Sequence, residues 1–328
     1  MRRPTRRQAL KLVAVSGAGA WLGLALARAP SGRIARRRRI LMGTTVNLTV
    51  VGDDPDAAEA AADATLARMA ELEAKLSRYR PDSDVGILNR TGALERPSRE
   101  TLEVLRLARR VHALGGGAFD VTILPVLELH RRGRASARAL ADALARVGQD
   151  ALRLDAGEVH FERAGMAISL DGIGKGYVVD GGVAVLKRRG FPNVLVDAGG
   201  DLMACGRRPS GEPWRIGIRH PRAGRSALLA RVEAEDVAVA TSGDYFQPFT
   251  PDLSQHHILD PRTGRSAPEL ASATVVAPTA ALADGLATLM MVLGPRRARE
   301  LCEELPGCEA YLVTKGAEVT RTSGFIPA

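Results

Sequence analysis

The sequence predicts an α+β fold in a single body. Strand-like and helix-like segments mix along it without the regular βαβ alternation of a doubly wound sheet. No Pro/Ser-rich linker divides the body, and 328 residues suffice to bury a large core in one compact or two-lobed unit. Met42–Val51 alternates as a strand does. Asp54 then caps an Ala/Leu/Glu-rich helix that opens on Pro55 and runs to Ser77. A second helix spans Ser98–Leu114 and is stopped by Gly115-Gly116-Gly117. Arg138–Val147 has a helical pattern, and Leu152–Phe161 and Met166–Leu170 read as strands. A glycine-rich turn leads directly into a helix over Lys175–Arg189. Strands are expected at Asn193–Asp197, Trp214–Ile218, Ala227–Val232 and Val237–Thr241. Helices at Ala281–Val292 and Pro295–Leu305 follow, and two strands close the chain.

The formal charge of +9 is concentrated at one end: residues 1–39 hold eleven Lys/Arg and no Asp/Glu, which leaves about −2 for the rest. A near-neutral body argues against a nucleic-acid-binding surface there. Thr5-Arg6-Arg7-Gln8-Ala9-Leu10-Lys11 is a twin-arginine pattern, followed by an apolar run from Leu12 to Ala27. That run is short for a membrane span and carries the flanks of an export signal. The expectation is a Tat-type signal over residues 1–29, a basic linker over 30–39 and one domain over 40–328. This places the protein outside the cytoplasm, with an uncleaved anchor as the other reading. The Arg36–Arg39 run is expected to be a solvated tail able to rest on anionic lipid. Cys205, Cys302 and Cys308 show no zinc spacing and are expected to be buried thiols.

Several constellations could carry chemistry. Asp171-Gly172-Ile173-Gly174-Lys175-Gly176 joins a strand to a helix, so its N–H groups and Lys175 could meet an anion. It lacks the spacing of a Walker A loop and of a dinucleotide fingerprint. Asp284 and Thr288 stand four apart on a helix, which puts a carboxylate and a hydroxyl on one face. Hard oxygen donors of this kind suit Mg2+. Gly116 to Thr122, Val196 to Asp201 and Ala240 to Tyr245 are polar turns, and Phe119 in the first could cover a ring. His256 and His257 precede the constrained turn Asp260-Pro261-Arg262-Thr263-Gly264. Neighbours in a strand point to opposite faces, so the two rings should not share an ion.

Taken in order, these segments resemble the ApbE family of FAD:protein FMN transferases. The matching pieces are Met42-Gly43-Thr44, Leu76-Ser77-Arg78-Tyr79 with Ser83 and Asn89, Gly117 to Asp120, Leu170 to Asp180, Gly199-Gly200-Asp201, Thr241 to Tyr245, His257 to Gly264, and Ala283-Asp284 with Thr288. They cover roughly residues 40–322. The resemblance implies an ApbE-like, T-fold-like domain. It implies that Met42, Tyr79, Ala118, Phe119, Asp120, Lys175 and Ile258 contact FAD, and that Asp284 and Thr288 ligate Mg2+ with the Gly172 carbonyl, and that of Ala287 as a further candidate. Where many members carry Asp, this chain has Ser169, with Asp171 two positions on; whether Ser169, Asp171 or neither meets the cofactor is open.

The reaction so implied is Mg2+-dependent transfer of FMN from FAD to a Thr/Ser hydroxyl of an exported or membrane flavoprotein, with release of AMP. His257, placed toward the site by the family register, and Asp244 are the candidates for moving the proton. An FAD pyrophosphatase yielding FMN and AMP, and a non-catalytic exported flavin-binding protein, are the competing readings.

Overall fold

Antiparallel pairing organises the chain, as the short connections between most strands require. The structure, a computed structural model, describes residues 33–133, 136–155, 157–222 and 227–327. The export signal expected over 1–29 lies outside the described residues. Eight strands form one sheet in the spatial order β1 (Arg33–Leu41), β2 (Thr44–Gly52), β6 (Val194–Ala198), β7 (Asp201–Cys205), β10 (Val237–Gly243), β13 (Leu270–Ala277), β14 (Glu309–Thr314) and β15 (Val319–Arg321). Every neighbouring pair is antiparallel. A three-stranded sheet pairs β3 (Ala93–Glu95), β5 (Glu158–Phe161) and β4 (Leu152–Asp155). Two hairpins complete the set, β8 (Trp214–Arg219) with β9 (Leu228–Ala234) and β11 (Leu259–Asp260) with β12 (Arg265–Ser266). The α+β expectation therefore holds.

The helices are α1 (Pro55–Leu76), α2 (Asp84–Thr91), α3 (Arg99–Leu114), α4 (Leu124–Arg131), α5 (Ala137–Leu144), α6 (Gly174–Arg188) and α7 (Ala280–Glu304). In α1 the Asp54 carboxylate accepts from the backbone N–H groups of Asp56 and Ala57, as the Asp-Pro start predicts. Ala58, Ala61, Ala62, Met69 and Leu72 recur at helical spacing and are buried. Helix α6 packs between α1 and α7, and all three lie on one face of the large sheet, enclosing the main core. On the opposite face Trp214, Ile216 and Val232 of the β8–β9 hairpin share a second core with Leu202, Val239 and Val313. The two helices expected after Ala281 form one continuous element broken at Gly294, whose φ of 76° and following Pro295 interrupt the hydrogen-bond ladder. All three cysteines are buried free thiols.

Three expectations are corrected. The Arg36–Arg39 run is not a tail or linker: it lies in β1 and pairs residue for residue with β2. Met166–Leu170 is in no sheet; its Ser169 N–H donates to the Val121 carbonyl instead. The single strand read over Leu152–Phe161 folds back as β4 and β5, because Gly157 takes a φ of 102°.

Candidate active site

At one end of the large sheet the β1–β2 turn, the β6–β7 turn and the close of β10 surround a cleft of about 330 Å³. Helices α6 and α7 bring their first turns to its floor. They exchange caps there: Asp180 of α6 accepts from the N–H groups of Ala280 (2.8 Å) and Ala281 (2.9 Å), and Asp284 of α7 accepts from the N–H of Gly176 (3.0 Å). The close approach requires glycine at 176, where a Cβ would lie 2.1 Å from the Ala280 carbonyl oxygen.

Asp284 is 3% exposed. Burial pushes its carboxyl up to about 7, against the opposing pull of Lys175. The Lys175 ammonium pairs directly with Asp201 and stands 3.9 Å from Asp284. Burial works against the lysine's charge, but the two carboxylates outweigh it and hold its pKa above the ordinary lysine value. One turn beyond Asp284, the Thr288 hydroxyl meets Ser242 at 3.1 Å. Gly172 packs so tightly on this threonine that a Cβ there would lie 3.0 Å from its Cγ2 and Oγ1. Thr288 stands one turn beyond Asp284, as the i,i+4 spacing predicts, and Gly172, which the family resemblance adds, packs on Thr288. Among the described residues no group of three His, Cys, Asp or Glu is arranged to hold a metal. The donor set here is of another kind, a carboxylate, a hydroxyl and peptide backbone, which fits Mg2+.

The lining also has an apolar part, made by Met42, Ala118, Phe119, Ile258 and Leu259, with Phe119 next to Gly172. Met42 sits in the β1–β2 turn at a φ of 52°, its N–H bonded to Glu73 at 2.8 Å. Ser169 and Asp171 both line the cleft. The Ser169 hydroxyl accepts the Asp171 N–H at 3.1 Å, while the Asp171 carboxylate pairs with Arg78 at 3.0 Å. His257 also lines the cleft, and its Nδ1 is buried without a hydrogen-bond partner. Burial, and then the neighbouring His256, push its pKa down to about 4, so the ring is neutral at pH 7. His256 points away into the body, fully buried, its Nε2 3.0 Å from the Ala267 carbonyl oxygen. The alternation argument does not apply here: the two histidines precede β11 in an isolated bridge and a bend rather than in a strand, and their rings stand edge to face with centroids 6.5 Å apart.

Four residues behave differently from their sequence reading. Asp244 is no proton carrier facing the cleft: it is fully buried and held bidentately by Arg222 at 2.8 and 2.6 Å. Asp120 lines the cleft, but its carboxylate is committed to the N–H and hydroxyl of Thr122 and the N–H of Gln149. Tyr79 is 67% exposed and lies outside the lining. Its phenol is 3.4 Å from the guanidinium of Arg131, which lines the cleft, and it also bonds Arg78, which pairs with Asp171 in the lining. The helix start at Gly176 does not wait for an external anion, since Asp284 already takes that N–H. Sequence reasoning assigned no role to Arg131, Gln247 or Ser242, which all line the cleft. Arg131 lies on α4, a two-turn helix too short to give a periodic signal.

The ApbE family model matches residues 42–312, a span that contains the whole cleft. The chain belongs to the ApbE family. Its relatives include a protein of Haemophilus influenzae named FAD:protein FMN transferase, 32% identical over 306 residues, covering 86% of this chain and 87% of the relative. One from Klebsiella pneumoniae with the same name is 31% identical over 297 residues, covering 86% and 84%. Among solved structures, the flavin transferase ApbE of Vibrio cholerae superimposes with a TM-score of 0.78 at 28% identity, over 90% of this chain and 98% of that one. The apo flavinyl transferase ApbE of Pseudomonas stutzeri gives 0.77 at 32% identity, over 89% and 96%. The ApbE fold thus accounts for nearly the whole described body, as the ordered motifs of the sequence imply.

Proposed function

We propose that this chain is an FAD:protein FMN transferase that moves FMN onto a Thr or Ser hydroxyl of an exported flavoprotein and releases AMP. The observation that carries the reading is the mixed lining of one cleft, where apolar side chains able to hold a flavin ring stand beside oxygen donors able to meet a pyrophosphate. Asp284, Thr288 and the Gly172 backbone would hold Mg2+. When bound, the ion supplies positive charge to the phosphate oxygens of the departing AMP. Lys175 adds a fixed charge beside the same floor. Met42, Phe119 and Ile258 would hold the flavin. The acceptor hydroxyl oxygen forms a bond to the FMN-side phosphorus, the bond between the two phosphates breaks, and AMP leaves. His257, neutral at pH 7 and part of the cleft lining, would take the hydroxyl proton. Export by the twin-arginine route, and a resting place near a membrane surface, belong to the same reading.

The test is incubation of the purified protein with FAD, Mg2+ and acceptor peptides, followed by mass spectrometry. The expected result is a mass gain equal to FMN on a Thr or Ser and stoichiometric AMP. FMN and AMP appearing without any acceptor adduct would replace transfer with pyrophosphate hydrolysis. Intact FAD under all conditions would leave a binding protein.

A further inference from the structure

Strand β1 is an edge of the large sheet, and its two faces differ. Side chains alternate along a strand. Ala35, Arg37 and Leu41 face the helices; Arg37 is tied to α1 through Glu59 at 3.0 Å and Asp63 at 2.9 Å. Ile34, Arg36, Arg38 and Ile40 therefore share the opposite, outer face, and all four are exposed. Ile34 is 38% exposed and Ile40 67% exposed. Among the described residues the β8–β9 hairpin packs on this face only as far as Val51 on the neighbouring strand, and none of them covers the β1 strip. Among the described residues no acidic side chain pairs with Arg36, Arg38 or Arg39. On this face Asp197, two strands in, is engaged by Asn47 and the Gly200 N–H.

The result is a rigid strip about 20 Å long with two arginines in the middle and an isoleucine at each end. We infer that this strip is a docking surface for an anionic lipid bilayer. The arginines match the surface charge of anionic headgroups, and their stems lie along the interface while the guanidinium groups reach the phosphates. The two isoleucines supply apolar area that an acidic soluble partner would not need. The position in the chain agrees with the anchored reading: the strip follows the apolar run Leu12–Ala27 by a few residues, so an uncleaved run would hold β1 next to a membrane. The inference does not rest on flavin transfer.

The experiment uses a chain begun at Pro30, which keeps every described element. It is sedimented with phosphatidylcholine vesicles containing about one-third phosphatidylglycerol, and with phosphatidylcholine alone. The protein should pellet with the anionic vesicles only, and should be released as salt rises from about 0.1 M to about 0.5 M. The double variant Arg36→Glu/Arg38→Glu should bind at least about tenfold more weakly, and Arg36→Gln/Arg38→Gln should fall between. Both should keep the parent melting temperature and the parent rate of FMN transfer. Equal binding to neutral vesicles, no binding to either, or unchanged binding by the charge-reversed variant would overturn the inference. So would salt-sensitive capture by polyglutamate without vesicle binding, which would assign the strip to an acidic protein.

Discussion

Asp284 shows how one side chain can weaken the protein it serves. Its folded pKa of about 7 lies above the ordinary 3.8, so the folded state favours the protonated form. The stability this carries is full below about pH 4 and is lost as pH rises through about 7. Asp284→Asn should therefore abolish FMN transfer yet melt higher than the parent at pH 8 in the absence of metal, with the advantage gone near pH 4. Melting curves with chelator across that range check it; a lower melting temperature for the variant at pH 8 contradicts the argument. His257 has the opposite shift, down to about 4, because burial penalises the imidazolium. The unfolded chain takes up this proton near 6.5 and the folded one only near 4, so stability falls as pH drops through that window. In function, the limb of the pH–rate profile due to His257 should appear near pH 4 rather than 6.5. His257→Gln should lower kcat by about 10²–10⁴ and leave FAD affinity almost unchanged. Arg222 and Asp244 mark the limit of sequence reasoning at this scale. A carboxylate in a polar turn reads as a candidate proton carrier until its partner, twenty-two residues away, is seen to hold both oxygens.

Elements with local punctuation were legible in the chain. Asp54-Pro55 starts α1 and Ser98 caps α3, whose hydroxyl accepts from the Thr101 N–H. Elements without it were not. Strand β13 reads Leu-Ala-Ser-Ala-Thr-Val-Val-Ala and is buried at all but one position, so it has no alternation to detect. Strand β7 is buried throughout for the same reason. Met166–Leu170 has a strand-like pattern but lies where no neighbouring strand is available to pair. Arginines in β1 mimic a tail because an edge strand, open on one side, tolerates charge. The α6–α7 contact sets the sharpest prediction at this scale. Gly176→Ala places a Cβ 2.1 Å from a backbone oxygen, and neither helix can retreat without losing a cap. Urea unfolding should show a loss of about 3 kcal/mol. A loss below about 1 kcal/mol would mean that the helices slide freely.

For the molecule as a whole, the boundary of the domain is the point where sequence and structure differ most usefully. The matched family span begins at residue 42, and the basic run before it reads as a linker. The structure instead makes β1 the outermost strand of the sheet, clamped to α1 by Arg37. A chain begun at Met42 should expose the full length of β2 as a new edge and bare the first half of α1. Compared with a chain begun at Pro30, it should melt at least about 5 °C lower and aggregate on concentration. Differential scanning calorimetry and light scattering measure both, and equal behaviour of the two chains would reduce β1 to an ornament. The site itself was legible because its parts come from turns and helix starts, where the sequence is most constrained. The exchange of caps between Asp180 and Asp284 was not, since neither residue advertises a partner a hundred positions away. That exchange gives the protein a built-in reporter. An ion that draws on Asp284 also draws on the acceptor of the Gly176 amide. The protection of this one amide against deuterium should therefore track occupancy of the floor, with no flavin, acceptor or turnover needed to read it.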